Sequence, residues 1–121
     1  MICSILAVDD SLTMRKMVSD TLVEAGFEVE VAEDGLAALE LARARRFALV
    51  ITDITMPRMD GITLVRELRA LPEWKFTPIL MLTTETAPEL KQQSKEAGAT
   101  GWLNKPFDPA RLIATIKRVL G

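Results

Sequence analysis

The sequence contains no histidine and only one cysteine in its 121 residues. Without histidine there is no Ser-His-Asp or Cys-His catalytic set, no histidine metal ligand and no phosphohistidine carrier. The lone Cys3 excludes an internal disulfide and fits a reducing compartment. Placed in an apolar run, it reads as a buried structural thiol. Long hydrophobic stretches are also missing: no run approaches the roughly 18 residues that cross a bilayer. Met1-Ile2-Cys3-Ser4-Ile5 lacks the basic start and apolar core of a signal peptide. Neither sign of charge dominates, and a formal net charge of −2 gives no general pull toward nucleic acid or anionic membrane. No G-x-x-x-x-G-K-[ST] phosphate loop occurs. The two Trp and four Phe offer no pair placed to sandwich a flavin. These absences leave a cytoplasmic protein with oxygen, nitrogen-cation and hydroxyl chemistry to work with.

What is present is ordinary in amount and regular in order. Hydrophobic residues make up 49 % and charged residues 26 %, which suits a globular chain able to bury one core. The length predicts a single domain over residues 1–121, ending with the fifth helix and leaving no room for an output domain. Short apolar runs at 3–8, 27–31, 48–52, 78–82 and 99–103 predict strands. Between them lie amphipathic stretches. Residues 12–25 carry Met14, Val18, Leu22 and Ala25 at helical spacing, and residues 35–45 carry Leu36, Leu39 and Ala42. Residues 61–70 carry Leu64, Val65 and Leu68, while 88–97 has little beyond Leu90 and Ala97. Pro109 opens a last helix with Leu112, Ile113, Ile116 and Leu120 on one face. Residues 71–77 read as a longer loop. Five strand-helix units of about 24 residues predict an α/β fold, a parallel sheet with right-handed crossovers and helices on both faces.

In open parallel sheets ligands bind beyond the carboxyl ends of the strands. Here those ends carry Asp9-Asp10, Asp53, Thr83 and Lys105. The run Leu49-Val50-Ile51-Thr52 stops abruptly at Asp53, and Met56-Pro57-Arg58-Met59-Asp60-Gly61 follows as a loop into a helix. If the first and third strands are neighbours, three carboxylates meet on one edge. Such a cluster needs a cation and suggests phosphoryl chemistry. Asp9-Asp10-Ser11 can also cap the helix that follows, and Ser11 alone would suffice for that.

Together, Asp9-Asp10-Ser11, Asp53 with Met56-Pro57-Arg58-Met59-Asp60-Gly61, Thr83 and Lys105-Pro106 resemble the receiver domain of two-component response regulators. The resemblance covers essentially the whole chain. Thr13-Met14-Arg15-Lys16-Met17-Val18, Leu82-Thr83-Thr84-Glu85 and Gly101-Trp102-Leu103-Asn104-Lys105-Pro106-Phe107 narrow it to stand-alone chemotaxis receivers of the CheY-like type. The resemblance implies a flavodoxin-like sheet of order 2-1-3-4-5. It implies Asp53 as phospho-acceptor and Mg2+ as cofactor, held by Asp10 and Asp53, by Asp9 partly through water, and by the backbone carbonyl of Thr55. Lys105, aimed inward by a cis bond to Pro106, would pair with the phosphoryl group and with Asp53 before it. Thr83 and Trp102 would be the switch pair, with Trp102 larger than the usual Tyr or Phe. Thr55 and Glu85 would tune hydrolysis through their side chains.

The partners implied are a chemotaxis-type sensor histidine kinase, a flagellar motor switch protein and a phosphatase, with the protein acting as a monomer that binds neither nucleic acid nor membrane. It would catalyse its own phosphorylation and dephosphorylation but would not be an enzyme on external substrates. A receiver that serves as phosphate sink or kinase regulator, without motor binding, is the alternative. A magnesium phosphatase is disfavoured, because Thr55 stands where a second acid two residues after Asp53 would be needed.

Overall fold

The computed structural model of the protein describes residues 3–84 and 87–121. Strands β1 (Ser4–Val8), β2 (Glu28–Ala32), β3 (Leu49–Thr52), β4 (Ile79–Thr83) and β5 (Gly101–Asn104) alternate with helices. The helices are α1 (Leu12–Glu24), α2 (Gly35–Ala44), α3 (Gly61–Arg69), α4 (Pro88–Ala97) and α5 (Pro109–Leu120). All neighbouring strands are parallel, in the order β2-β1-β3-β4-β5. This is the predicted five-stranded flavodoxin-like architecture.

Strand pleating sorts each strand's side chains into two cores. On β1, Ile5 and Ala7 join Val18 and Leu22 of α1 and Leu112 and Ile116 of α5. Leu6 and Val8 point the other way, to Ala38, Leu39 and Ala42 of α2 and Leu64, Val65 and Leu68 of α3. Leu90 and Ala97 of α4 lie against that second core. The central strands β3 and β4 are buried along their whole length, as a sheet covered on both faces requires.

Element ends differ from the periodicity by one or two residues, for local reasons. The Phe27 N–H returns to Leu22 O at 3.0 Å and completes the exit from α1, so β2 starts one residue later. Ala25 becomes the C-cap of α1 and is exposed. Leu36 also leaves the predicted stripe and is 39 % exposed; Ala38 takes its place in the core. Cys3 is half-buried rather than buried. Thr100 stays outside β5, where its Oγ1 accepts from the Ile79 N–H at 3.0 Å.

The stretch 71–77 holds one turn of 3-10 helix at Pro72–Trp74. Its purpose is visible in Trp74, which is 2 % exposed and packs among α2, α3 and the sheet. The indole N–H donates to Ala42 O at 3.2 Å, which satisfies its one polar group. Arg69 braces the same turn, donating through Nη1 to Trp74 O at 2.6 Å and to Thr77 O at 2.7 Å.

The loop from β3 to α3 is held by close backbone approaches. The Gly61 N–H donates to Ile54 O at 2.7 Å, and a Cβ at Gly61 would lie 1.9 Å from Asp53 O. Gly35, the first residue of α2, donates to Met59 O at 3.0 Å, and a Cβ there would meet Met59 at 2.6 Å. Only glycine permits either contact. Asp34 caps α2 by accepting from Ala37 N–H at 2.9 Å, and its second oxygen accepts from Arg58 Nε at 2.7 Å. The bond from Arg58 holds the Asp34 carboxyl below the usual carboxylate range; burial opposes this, and the Ala37 N–H adds to it.

Two expectations follow from this packing. Trp74→Ala should cost about 3–5 kcal/mol in urea unfolding; a loss below about 1 kcal/mol would mean the turn is not part of the core. Asp34→Asn keeps a capping oxygen but removes the charge. Because the folded pKa of Asp34 is depressed, its ionic contribution is present above the unfolded value and is lost as pH falls through the folded one. The variant should therefore be less stable than the wild type at pH 7, with the gap narrowing below about pH 3.9. An equal gap at pH 7 and pH 3 would remove the ion pair from the account.

Candidate functional site

Three residues of the predicted site lie one step beyond a strand end, and the sheet ladder sets each of them. The Asp9 N–H donates to Ala32 O at 3.1 Å, that of Asp53 to Val8 O at 3.0 Å, and that of Lys105 to Thr83 O at 3.0 Å. Each therefore continues its strand by one hydrogen bond before the chain turns away. The register Val8↔Thr52 puts the ends of β1 and β3 level, so Asp9 and Asp53 leave the sheet side by side. Thr83↔Asn104 does the same for Thr83 and Lys105.

The result is a compact acidic cluster. One oxygen from each of Asp9, Asp10 and Asp53 lies within 4.8 Å of the others. Asp9 is buried, Asp53 half-buried and Asp10 exposed. Backbone N–H groups take one oxygen of each inner acid: Ser11 N to Asp9 Oδ1 at 2.9 Å, and Ile54 N to Asp53 Oδ1 at 2.7 Å. The remaining oxygens face Lys105. Its ammonium donates to Asp53 Oδ2 at 2.9 Å and also to Asp9 Oδ2. The Lys105 side chain is only 8 % exposed. Burial pulls the Lys105 pKa down, but the hydrogen bonds to Asp9 and Asp53, reinforced by their charges, outweigh it and hold the amine above its ordinary value. It is a cation throughout the neutral range. The Lys105–Pro106 peptide bond is cis.

Three carboxylates against one ammonium leave the cluster short of positive charge. Asp10 has no ion pair among the described residues. An all-oxygen donor set with one exposed member fits a hard cation that keeps part of its water shell. The cluster could thus hold a metal ion.

The remaining predicted residues surround this cluster. Thr55 is exposed on the loop after Asp53. Thr83 is the last residue of β4 and is 1 % exposed. Glu85 lies outside the described residues. Trp102, at the centre of β5, is half-buried. Its indole N–H donates to Asn104 Oδ1 at 3.2 Å, and the Lys91 ammonium sits 5.3 Å from its ring centroid. Beside it, Lys91, Ser94, Lys95 and Thr100 line a cavity of about 230 Å3 between α4 and β5.

Sequence reasoning missed two cations near the site. Arg15 donates through Nη1 to the Asp9 carbonyl at 2.7 Å, bracing the β1–α1 turn from one helical turn away. Its place four residues after the capping Ser11 was the available signal. Arg58 grips Asp34 from within the β3–α3 loop, and no local pattern announces a pair separated by 24 positions.

Comparison with known proteins agrees with this geometry. Residues 5–117 match the family model described as the response regulator receiver domain. The fold superposes on chemotaxis protein CheY4 of Vibrio cholerae with a TM-score of 0.94 and 54 % identity, covering 98 % of this chain and 99 % of that one. Chemotaxis protein CheY-3 of Vibrio cholerae is 40 % identical over 116 residues, 95 % of this chain and 89 % of that protein. "Probable transcriptional regulator ycf29" of Porphyra purpurea is 32 % identical over 117 residues, and the chain spans only 56 % of its length. With strand-end acids, bridging lysine and the family match over residues 5–117 in agreement, the chain belongs to the response regulator receiver domain family and is of the CheY-like, chemotaxis type.

Proposed function

We propose that the protein acts as a single receiver unit over residues 1–121 that is phosphorylated on Asp53 in a Mg2+-dependent reaction by a chemotaxis-type sensor histidine kinase, and that it then binds a flagellar motor switch protein. The observation that carries this reading is the Lys105 ammonium bridging Asp9 and Asp53 beside a carboxylate cluster left short of positive charge. The chemotaxis names of its relatives support the motor as destination. No described helix is long and apolar enough to cross a membrane; the proposed messenger is a monomer that works in the cytoplasm.

The chain's own residues supply the chemistry. A carboxylate oxygen of Asp53 attacks phosphorus of the kinase's phosphohistidine; a P–O bond forms, the P–N bond breaks and the departing imidazole takes up a proton. Asp9, Asp10, Asp53 and the Thr55 carbonyl are the proposed holders of Mg2+. When bound, the ion supplies positive charge that offsets the repulsion between attacking carboxylate and phosphate. Lys105 has three donors and uses two of them in the described state, so it can turn one to a phosphoryl oxygen without leaving the site. The hydroxyl of Thr83 is the proposed donor to another phosphoryl oxygen. Thr55 and Glu85 are the proposed tuners of hydrolysis, and a phosphatase is the partner that would shorten the signal. The protein acts on its own phosphoryl group and on no external substrate.

Thr83 and Trp102 are the proposed switch residues. Trp102 reports the site's state to the α4–β5 surface, because Thr83 and Asn104 are ladder partners and Lys105 follows directly. Moving a two-state element from 1:99 to 99:1 takes about 5.5 kcal/mol of differential stabilisation. A few polar bonds at one sheet edge fall short of that, so the partner completes the change.

Asp53→Asn should abolish stable labelling by a small-molecule phosphodonor; labelling retained at position 53's peptide would overturn the assignment. Beryllofluoride with Mg2+ should raise the affinity for a motor-switch peptide by about tenfold or more, a coupling of about 1.4 kcal/mol. Equal or absent peptide binding in both states, with beryllofluoride bound, would instead favour a phosphate sink or kinase regulator.

A further inference from the structure

The cation site proposed above draws on side-chain carboxylates and one main-chain oxygen, and these are aimed by different means. A carboxylate is aimed by its own rotamer. The carbonyl of Thr55 can be aimed only by the backbone of the loop that carries it. That loop, residues 54–60, is tied down at buried Ile54 and Met56 and closed by the Gly61 N–H on Ile54 O, but it is exposed at Thr55, Pro57 and Arg58.

Two further bonds tie its exposed stretch, and both end on the N-terminus of α2. Gly35 N–H donates to Met59 O at 3.0 Å. Arg58 Nε donates to Asp34 Oδ2 at 2.7 Å. Asp34 is a rigid acceptor: it is 2 % exposed, and its other oxygen is fixed by Ala37 N–H. Arg58 pays a conformational cost to reach it, since its φ is 66°, the left-handed region that non-glycine residues seldom adopt. Its side chain is 56 % exposed, so the reach to Asp34 is not a by-product of core packing. A long cation held in an unfavourable backbone conformation, three residues after Thr55, has a reason to be there if the loop must not shift.

We infer that the Arg58–Asp34 ion pair is a positioning device for the cation site: it fixes the β3–α3 loop and thereby the main-chain oxygen of Thr55. Arg58 touches neither cation nor phosphoryl group. The inference rests on the proposed reading of Asp9, Asp10, Asp53 and Thr55 as the Mg2+ site.

The test is Mg2+ binding by calorimetry on the intact protein, with Arg58→Ala, Arg58→Lys, Asp34→Asn and the double variant Arg58→Ala/Asp34→Asn. Alanine bears the same left-handed φ penalty as arginine, so Arg58→Ala removes the ion pair without relieving the backbone. Its Mg2+ affinity should fall about tenfold, in line with the loss of groups that orient metal ligands. Arg58→Lys should recover most of that, because only one donor, Nε, makes the bond. The double variant should lose no more than the worse single variant, as expected of partners in one interaction. At saturating Mg2+, the rate of labelling by a small phosphodonor should stay within about twofold of wild type, a split that general loosening of the fold would not give. Arg45→Ala, which breaks the surface pair with Glu30, is the control and should change nothing. Arg58→Ala binding Mg2+ within about twofold of wild type would overturn the inference, as would equal losses in Arg58→Lys or in the Arg45 control. Wild-type protein that binds no Mg2+ would remove the cation-site reading itself, and the inference with it.

Discussion

Three carboxylates pressed together at one sheet edge are the constraint around which this molecule is arranged. Left alone they would repel, and burial of Asp9 would sharpen the penalty. The fold answers with directed donors. Each inner acid gives one oxygen to a backbone N–H and the other to the same lysine. This partition stabilises the acids only in part, because the exposed Asp10 remains outside it. A site so arranged keeps an excess of negative charge that only one ammonium among the described ion pairs offsets. It also exerts a direct pull on Lys105: any group that competes for the ammonium changes the balance among all three acids.

The sheet makes this crowding possible at modest cost. Parallel strands in register end level, so a residue one step past Val8 and one step past Thr52 emerge as neighbours. The interiors of the same strands face two apolar cores and carry no reactive group except hydroxyls. Along β3 and β4, and along β1 after Ser4, reactivity is confined to the edge because the positions before it are enclosed. That separation is also what made the chain readable. Apolar runs that end in an acid, a hydroxyl or an amine pointed to the strands and to the candidate site at once, and the strand order followed from the resemblance rather than from periodicity.

The parts that could not be read share one property: their partners are distant in sequence. Trp74 sits in a Pro- and Lys-flanked stretch with no periodicity, and its burial is decided by Ala42 of α2 and by Phe47 in the connection from α2 to β3. Leu36 fits the helical stripe of α2, yet the N-terminus of that helix is turned toward the β3–α3 loop and leaves it at the surface. Arg58 lies within a motif that was read correctly, but its ion pair with Asp34 depends on how the loop meets α2. Local pattern fixes which elements exist; the docking of one element's end against another is decided only when they pack.

The helix ends are held unequally. Among the described helices, α1, α2, α3 and α5 each begin with a side-chain cap, whereas α4 begins at Ala87 and Pro88 with none. Its other end is tied closely. Gly98 closes the helix in the left-handed region, and its carbonyl accepts from Arg69 through Nε at 3.1 Å and Nη2 at 2.9 Å. Arg69 also holds the Trp74 turn, and burial lowers its pKa because its partners are carbonyls rather than carboxylates. One guanidinium therefore fastens the C-terminal end of α4 to the core turn, while at its start the described residues show Leu90 against the core and no side-chain cap. The Lys91 ammonium, in the first turn of α4, sits 5.3 Å from the Trp102 ring centroid, so the helix start without a side-chain cap is also the one that touches the ring of β5.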